Sequence, residues 1–359
     1  MPVSISGTNG VTFPDSSLQT AAASPYVNKN RLVNGSFNIA QRGTSFVSGA
    51  NDDDTYNLDR WYVLSDGNDA VDITQTTTVP TGAKYSIGLD VETVNKKFGI
   101  AQIIENVNCY DAIGGNVTLS FQAKVSATTK LDNVKCAVIA WSGTADSVTS
   151  DIISAWGAEG TNPTLIANAT YENTPANLNV TTSWATYSVT ANVDTASTTN
   201  IIVFIWSDVT DTTLGDFLYI TNTQLEIGST ATPFERRLYN QELANCQRYF
   251  ELLGGRNAYE PVGIGFIFSS TVGVADYFFK QTMRTAPSLT VPTASNWTVM
   301  NNAGSGIALT SLVINDSGNQ ITVNGACLRF QVSSGLTAGN ATGLEALSIN
   351  ARMSFSAEL

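Results

Sequence analysis

Residues 51–62, NDDDTYNLDRWY, gather more chemistry-bearing side chains than any other stretch of this chain. Four carboxylates, Asp52, Asp53, Asp54 and Asp59, stand beside two aromatic rings, Trp61 and Tyr62. Sugars are held by that combination, with carboxylate oxygens accepting from hydroxyls while a ring face covers the apolar side of the sugar. The same oxygens suit calcium, which takes about six to eight of them. The plainer reading is a solvated turn leading into a strand whose Trp61 is core. Trp156 and Trp297 lie in loop-like sequence, where a ring can stack on a ligand or enter a subunit contact. Trp141, Trp184 and Trp206 fall within strand patterns and are expected to be core or half-buried.

Other chemistry is excluded by what the chain lacks. It has no histidine, which removes Ser-His-Asp and Cys-His mechanisms and disfavours transition-metal sites. Its four cysteines, Cys109, Cys136, Cys246 and Cys327, are widely spaced and are expected to be buried free thiols. Glycoside hydrolysis needs two carboxylates facing a cleft, and no spacing marks such a pair. No internal repeat and no Gly-rich phosphate loop is present. A non-enzyme without cofactor is the expectation. Eighteen basic against thirty acidic residues give a net charge of −12, the wrong sign for nucleic acid. The longest strongly apolar run, IIVFIW at 201–206, is far below the ~20 residues of a membrane span. The first residues, MPVSISGTNG, have neither the basic start nor the apolar centre of a secretory signal.

These candidates need elements to position them, and most of the chain reads as strand. In NVTLSFQAKV the apolar Val117, Leu119, Phe121, Ala123 and Val125 alternate with polar residues. KCAVIAW and NIIVFIW are apolar on both faces, as central covered strands are. Many short antiparallel strands with Asn/Asp/Gly/Thr turns predict an all-β chain: a jelly-roll β-sandwich over 31–228. Residues 229–255 read as a connector with a helix, where Asn240 caps a stripe of Leu243, Cys246, Phe250 and Leu253 and Gly254–Gly255 ends it. A second, smaller β-sandwich is expected over 256–359, with Asn324–Gly325 marking a bulge or tight bend. Residues 1–30 form an extended N-terminal arm whose apolar residues Val11, Phe13 and Leu18 cannot build a core alone.

Several stretches share one resemblance. LVNGSFNIAQRGTSF, LDRWYV and TNTQLEIGSTATPFERRLYNQELANCQRYFEL resemble segments of bacteriophage tail-fibre and related virion proteins. VTFPDSSLQTAAA, KQTMRTAPSLTV and the final Ala-Glu-Leu are similar to others of the same group. In that group Leu-Asp-Arg-Trp is a domain landmark, which favours a core role for Trp61. The resemblance implies a virion location, a homotrimer, attachment to other virion proteins through the arm, and host-surface glycan contact by a distal C-terminal unit. Its rival is a head fibre, collar or decoration protein that binds no glycan. The first sandwich also resembles carbohydrate-binding modules of the galactose-binding-like type. There a structural calcium uses opening and closing acids; here Asn38, Asn222 and Glu226 stand in those places, and two of them are amides.

Overall fold

The computed structural model describes residues 28–301, 303–315 and 320–359, together with the backbone of three short strands in the arm. Those strands, Ser4–Ser6, Gly10–Thr12 and Leu18–Gln19, form a small antiparallel sheet in which Val11 lies opposite Ile5 and Gln19, and Leu18 opposite Thr12. Phe13 lies outside the described residues.

The first unit is a two-sheet sandwich. Its five-stranded sheet runs in the order Ala169–Tyr171, Val134–Trp141, Asn200–Ser207, Phe98–Ile104, Tyr62–Ser65. The six-stranded sheet runs Ala185–Asn192, Asn116–Val125, Phe217–Ile227, Ser86–Val91, Val71–Thr76, Ser45–Phe46. Every pairing is antiparallel. Strand alternation holds as expected: Val117, Leu119, Phe121, Ala123 and Val125 enter the core between the sheets, where they meet Ile100, Val138, Val203 and Ile205. The two doubly apolar strands are wholly buried because the five-stranded sheet is covered on its far face as well. There Ala137, Ile139, Ile202, Phe204 and Trp206 pack under Val148, Ile152, Trp156 and Leu165 of the 142–171 excursion, and against Leu359.

The second unit lays a three-stranded sheet over a seven-stranded one. Phe250–Gly254, Arg352–Ser356 and Ser288–Thr290 form the small sheet. Leu253, Met353 and Phe355 from it meet Ala275, Tyr277, Leu328, Phe330 and Leu344 of the large one. Trp297, read from sequence as loop, opens the strand Trp297–Met300 and is fully buried in this core. Asn324–Gly325 is a tight bend, closed by hydrogen bonds between Thr322 and Gly325. Among the described residues no helix is long and apolar enough to cross a membrane.

The helix differs from its sequence expectation. It spans Tyr239–Gln247, begins after Leu238 without a side-chain cap, and stops before Phe250. Phe250 and Leu253 belong instead to a strand paired with Arg352–Ser356, Phe250 opposite Ser356 and Leu253 opposite Met353. A helical stripe and a short strand both bury these residues. The strand wins because it also bonds its backbone to a distant partner that local sequence does not announce. Beside Cys246 the helix buries polar residues: Glu242 accepts from the backbone N–H of Asn34 and lies 3.5 Å from Arg237.

Candidate functional site

The 51–62 stretch is structural. Trp61 is fully buried, its indole N–H donates to the Asn34 carbonyl at 3.1 Å, and its ring lies 5.3 Å from Phe37. Tyr62 is equally buried, packed 5.2 Å from Tyr56. No ligand ring reaches either one without opening the core. Asp53 accepts from the Ser65 backbone at 2.7 Å and Asp54 from the Ser150 hydroxyl, so both tie down loops; Asp52 is half-buried beside them. Asp59 accepts twice from Gln41, at 2.6 and 2.7 Å, and burial pushes its carboxyl up. Trp156 is half-buried, set edge-on against Phe204 at 6.1 Å. Trp297 is core, as above. The structure therefore scatters the sequence-predicted sugar contacts instead of bringing them together.

The expected calcium residues do not fit a cation. Both oxygens of Glu226 accept from Thr232, at 2.8 and 2.7 Å, and Gln224 adds a third bond at 2.8 Å. The Lys29 ammonium stands 3.9 Å away, a charge that repels a metal. Asn222 spends its amide on Gln122 at 2.6 Å, and Asn38 donates to Ser36 at 2.9 Å. Among the described residues no group of three or more Cys, Asp or Glu is arranged to hold a metal.

The motif residues converge on the seam between the two units. Arg60 is buried and ion-paired with Glu358; its guanidinium lies 3.7 Å over the Tyr249 ring and donates to the Ile103 carbonyl at 2.5 Å. Arg42 holds the other Glu358 oxygen at 2.9 Å and lies 3.6 Å over Phe250. Arg248 grips Glu105 with bonds of 2.6 and 2.9 Å, and the Tyr249 hydroxyl donates to the same carboxylate at 2.8 Å. Burial alone pushes Glu105 up, yet these donors hold it below the usual carboxylate range. A polar cavity of about 460 Å³ opens here, lined by Arg31, Arg237 and Arg248 among others. Its guanidinium groups are already matched to Asp111, Glu242 and Glu105.

The arrangement best suited to a ligand lies on the outer face of the six-stranded sheet. Along Phe217–Ile227 the strand sends Leu218 and Ile220 inward, so Phe217 and Tyr219 point out. Their rings are parallel within 4°, with centroids 5.2 Å apart. Trp184, just before the strand Ala185–Asn192, stands 6.4 Å from Tyr219. All three rings are half-buried, which fixes their planes and leaves their surfaces accessible. Tyr219 lies opposite Gly88, and a Cβ at Gly88 would come within 3.4 Å of its ring. The missing side chain lets the phenol lie down along the sheet.

Polar groups edge these rings. Lys124, opposite Tyr219 on the other side, carries its ammonium 5.2 Å from the ring centre. Asp90 lies opposite Phe217 and also opposite Asp72. One oxygen of Asp90 is buried and has no hydrogen-bond partner. Burial, with the charges of Asp72, Glu92 and Asp216, raises the Asp90 carboxyl, and burial with Asp90 nearby raises the Tyr219 phenol. Half-buried rings in a row with an unspent acceptor and a cation beside them can stack on a sugar face and bond its hydroxyls. Sequence reasoning missed Phe217 and Tyr219, although aromatic residues on the outward phase of an alternating strand were a usable signal.

No family profile matches the chain, and no curated protein matches it. Solved structures give distant likenesses. One is the enzymatically active domain of tailspike protein 4 of bacteriophage CBA120, at 18% identity and TM-score 0.34, covering 57% of this chain and 22% of that one. A putative sugar binding protein from Bacteroides thetaiotaomicron matches at 14% identity and TM-score 0.34, covering 55% and 100%. The CBM22-1 xylan-binding domain from Paenibacillus barcinonensis matches at 14% and 0.28, covering 48% and 87%. The match thus spans about a fifth of the tailspike chain's length. At these scores nothing about ligand or partner carries over.

Proposed function

We propose that this chain is a non-enzymatic bacteriophage virion protein, a tail fibre or receptor-binding protein, that holds a host-surface glycan on the outer face of its six-stranded sheet. The observation that carries the glycan reading is the outward platform of Trp184, Tyr219 and Phe217 with Asp90 and Lys124 at its edge. The platform is an open sheet face, suited to binding a chain of sugars along it. The virion reading rests on the motif resemblance. The platform puts the glycan contact on the first unit, whereas the resemblance implied the C-terminal one. No metal or cofactor takes part, and the arm joins the chain to its virion neighbours and to two further copies of itself.

A glycan array and a whole-cell binding assay test this directly. Tyr219→Ala and Trp184→Ala should each weaken saturable binding by about two- to tenfold, since an aromatic contact contributes about 0.5–1.5 kcal/mol. Binding by the intact protein that both variants retain in full defeats the platform. Reproducible release of reducing sugar by the protein defeats the non-enzyme reading. No glycan or cell binding at all favours the decoration or collar role.

A further inference from the structure

All three exposed phenylalanines among the described residues, Phe266, Phe268 and Phe278, lie on one surface, the side of the seven-stranded sheet turned away from its core. Ile267, Ala275 and Tyr277 point inward, so alternation turns Ile264 and Phe266 out from one strand, with exposed Phe268 one residue past its end, and Phe278 out from the next. Ile264 is 80% exposed and Phe278 77%, and Val313 joins them at 46%. Phe266 and Phe268 meet edge to face at 4.7 Å. On the neighbouring strand Gly343 and Ala341 stand opposite Ile264 and Phe266, and these small residues leave the rings standing clear of a flat surface. Contiguous exposed apolar area of this kind is uncommon on a protein that stays alone.

The charges on this surface say what covers it. Arg329 lies beside Val274, in the row running from Phe266 to Val313, and makes no hydrogen bond or ion pair within the described chain. Asp276, on the adjacent strand and two residues along, accepts from the Cys327 thiol. A small ligand finds no concavity here. Two copies of a chain with net charge −12 repel unless an unspent cation meets an acid across the contact. Arg329 and Asp276 supply both members of such a pair.

We propose that this face binds the same face of a second copy of the chain, around a two-fold axis passing between Arg329 and Asp276. That axis lays Arg329 of each copy over Asp276 of the partner subunit and closes the two phenylalanine strips on each other. A two-fold contact uses one patch twice and is self-limiting. The inference is independent of the glycan platform, which lies on the other unit.

Sedimentation velocity of the full chain over a concentration series tests it. The mass should double over the series, from that of the arm-joined trimer of the 38.1 kDa chain to twice that value. The pair Phe266→Ser with Phe278→Ser should weaken association by about tenfold or more. Arg329→Asp and Asp276→Arg should each weaken it too, and the double charge exchange should restore it. Melting temperatures near wild type confirm that these outward substitutions leave the fold intact. A mass that never exceeds that of the trimer, an association that ignores the phenylalanine variants, or a charge exchange without recovery overturns the proposal. So does glycan binding that disappears in the phenylalanine variants, which would assign the face to a ligand.

Discussion

Asp90 faces Asp72 directly across two strands, and like charges in that position destabilise a sheet. Burial and these neighbours raise its carboxyl above the ordinary value. A carboxyl raised on folding favours the folded state while protonated, and that contribution is lost as pH rises through the folded value. Asp90→Asn should therefore raise the melting temperature at neutral pH and leave it nearly unchanged near pH 3, where carboxyls of about pKa 3.9 are protonated in either state. Thermal denaturation at both values checks the sign. Gly88 makes a second residue-scale test. A side chain there would meet Thr74 at 3.1 Å and the Tyr219 ring at 3.4 Å. Gly88→Val should lift the phenol from the sheet and weaken glycan binding with little change in melting temperature. Both residues sit on the polar phase of a strand, so their spacing was legible, while their cross-strand neighbours were not.

At the scale of elements, the helix Tyr239–Gln247 shows how a local pattern can mislead. Leu243, Cys246, Phe250 and Leu253 match one helical face, yet the last two leave for a strand. The helix is anchored by Glu242, which satisfies the buried N–H of Asn34 in the opening motif of the first unit. Glu242→Ala should cost about 1–3 kcal/mol in urea denaturation, the usual penalty for leaving a buried donor unpaired. Glu242→Gln keeps an acceptor and should cost less. The alternating strands were read correctly because each carries its own period and one face meets a core. Trp297–Met300 was missed because the Trp stands among Asn, Ser and Thr, which read as loop.

At the scale of the whole molecule, the last residues of the sequence hold the two units together. Glu358 is the shared counter-ion of Arg42 and Arg60, the Tyr56 hydroxyl donates to the Leu359 carbonyl at 2.8 Å, and Arg284 bonds the carbonyls of Ala357 and Glu358. Glu358→Ala leaves the buried Arg60 charge without a partner, a loss of about 3–5 kcal/mol. Calorimetry of the wild type should show one cooperative transition, and the variant should split it in two. Glu105 adds a pH dependence of the opposite sign to that of Asp90. Its carboxyl is held low in the folded state, so its contribution is present at neutral pH and fades as pH falls below about 4.5.

The sequence by itself determined the class of fold and the exclusions. Period-two alternation, doubly apolar central runs and Gly/Asn turns demand sheets packed face to face, and a chain without histidine cannot run imidazole chemistry. It also singled out LDRW, CQRYF and the final Ala-Glu-Leu as special without saying why. Only the tertiary structure decided that these stretches meet one another, because Arg60, Tyr249 and Glu358 are far apart in the chain and local patterns carry no record of distant partners. For the same reason it moved the candidate site. Trp61 and Tyr62 were candidates for both ligand and core in sequence and are core, whereas Tyr219, which no sequence pattern singled out, lies outside, beside Gly88 and Lys124. Burial depends on what a strand is packed against, and that is settled by sheet order and register rather than by residue type.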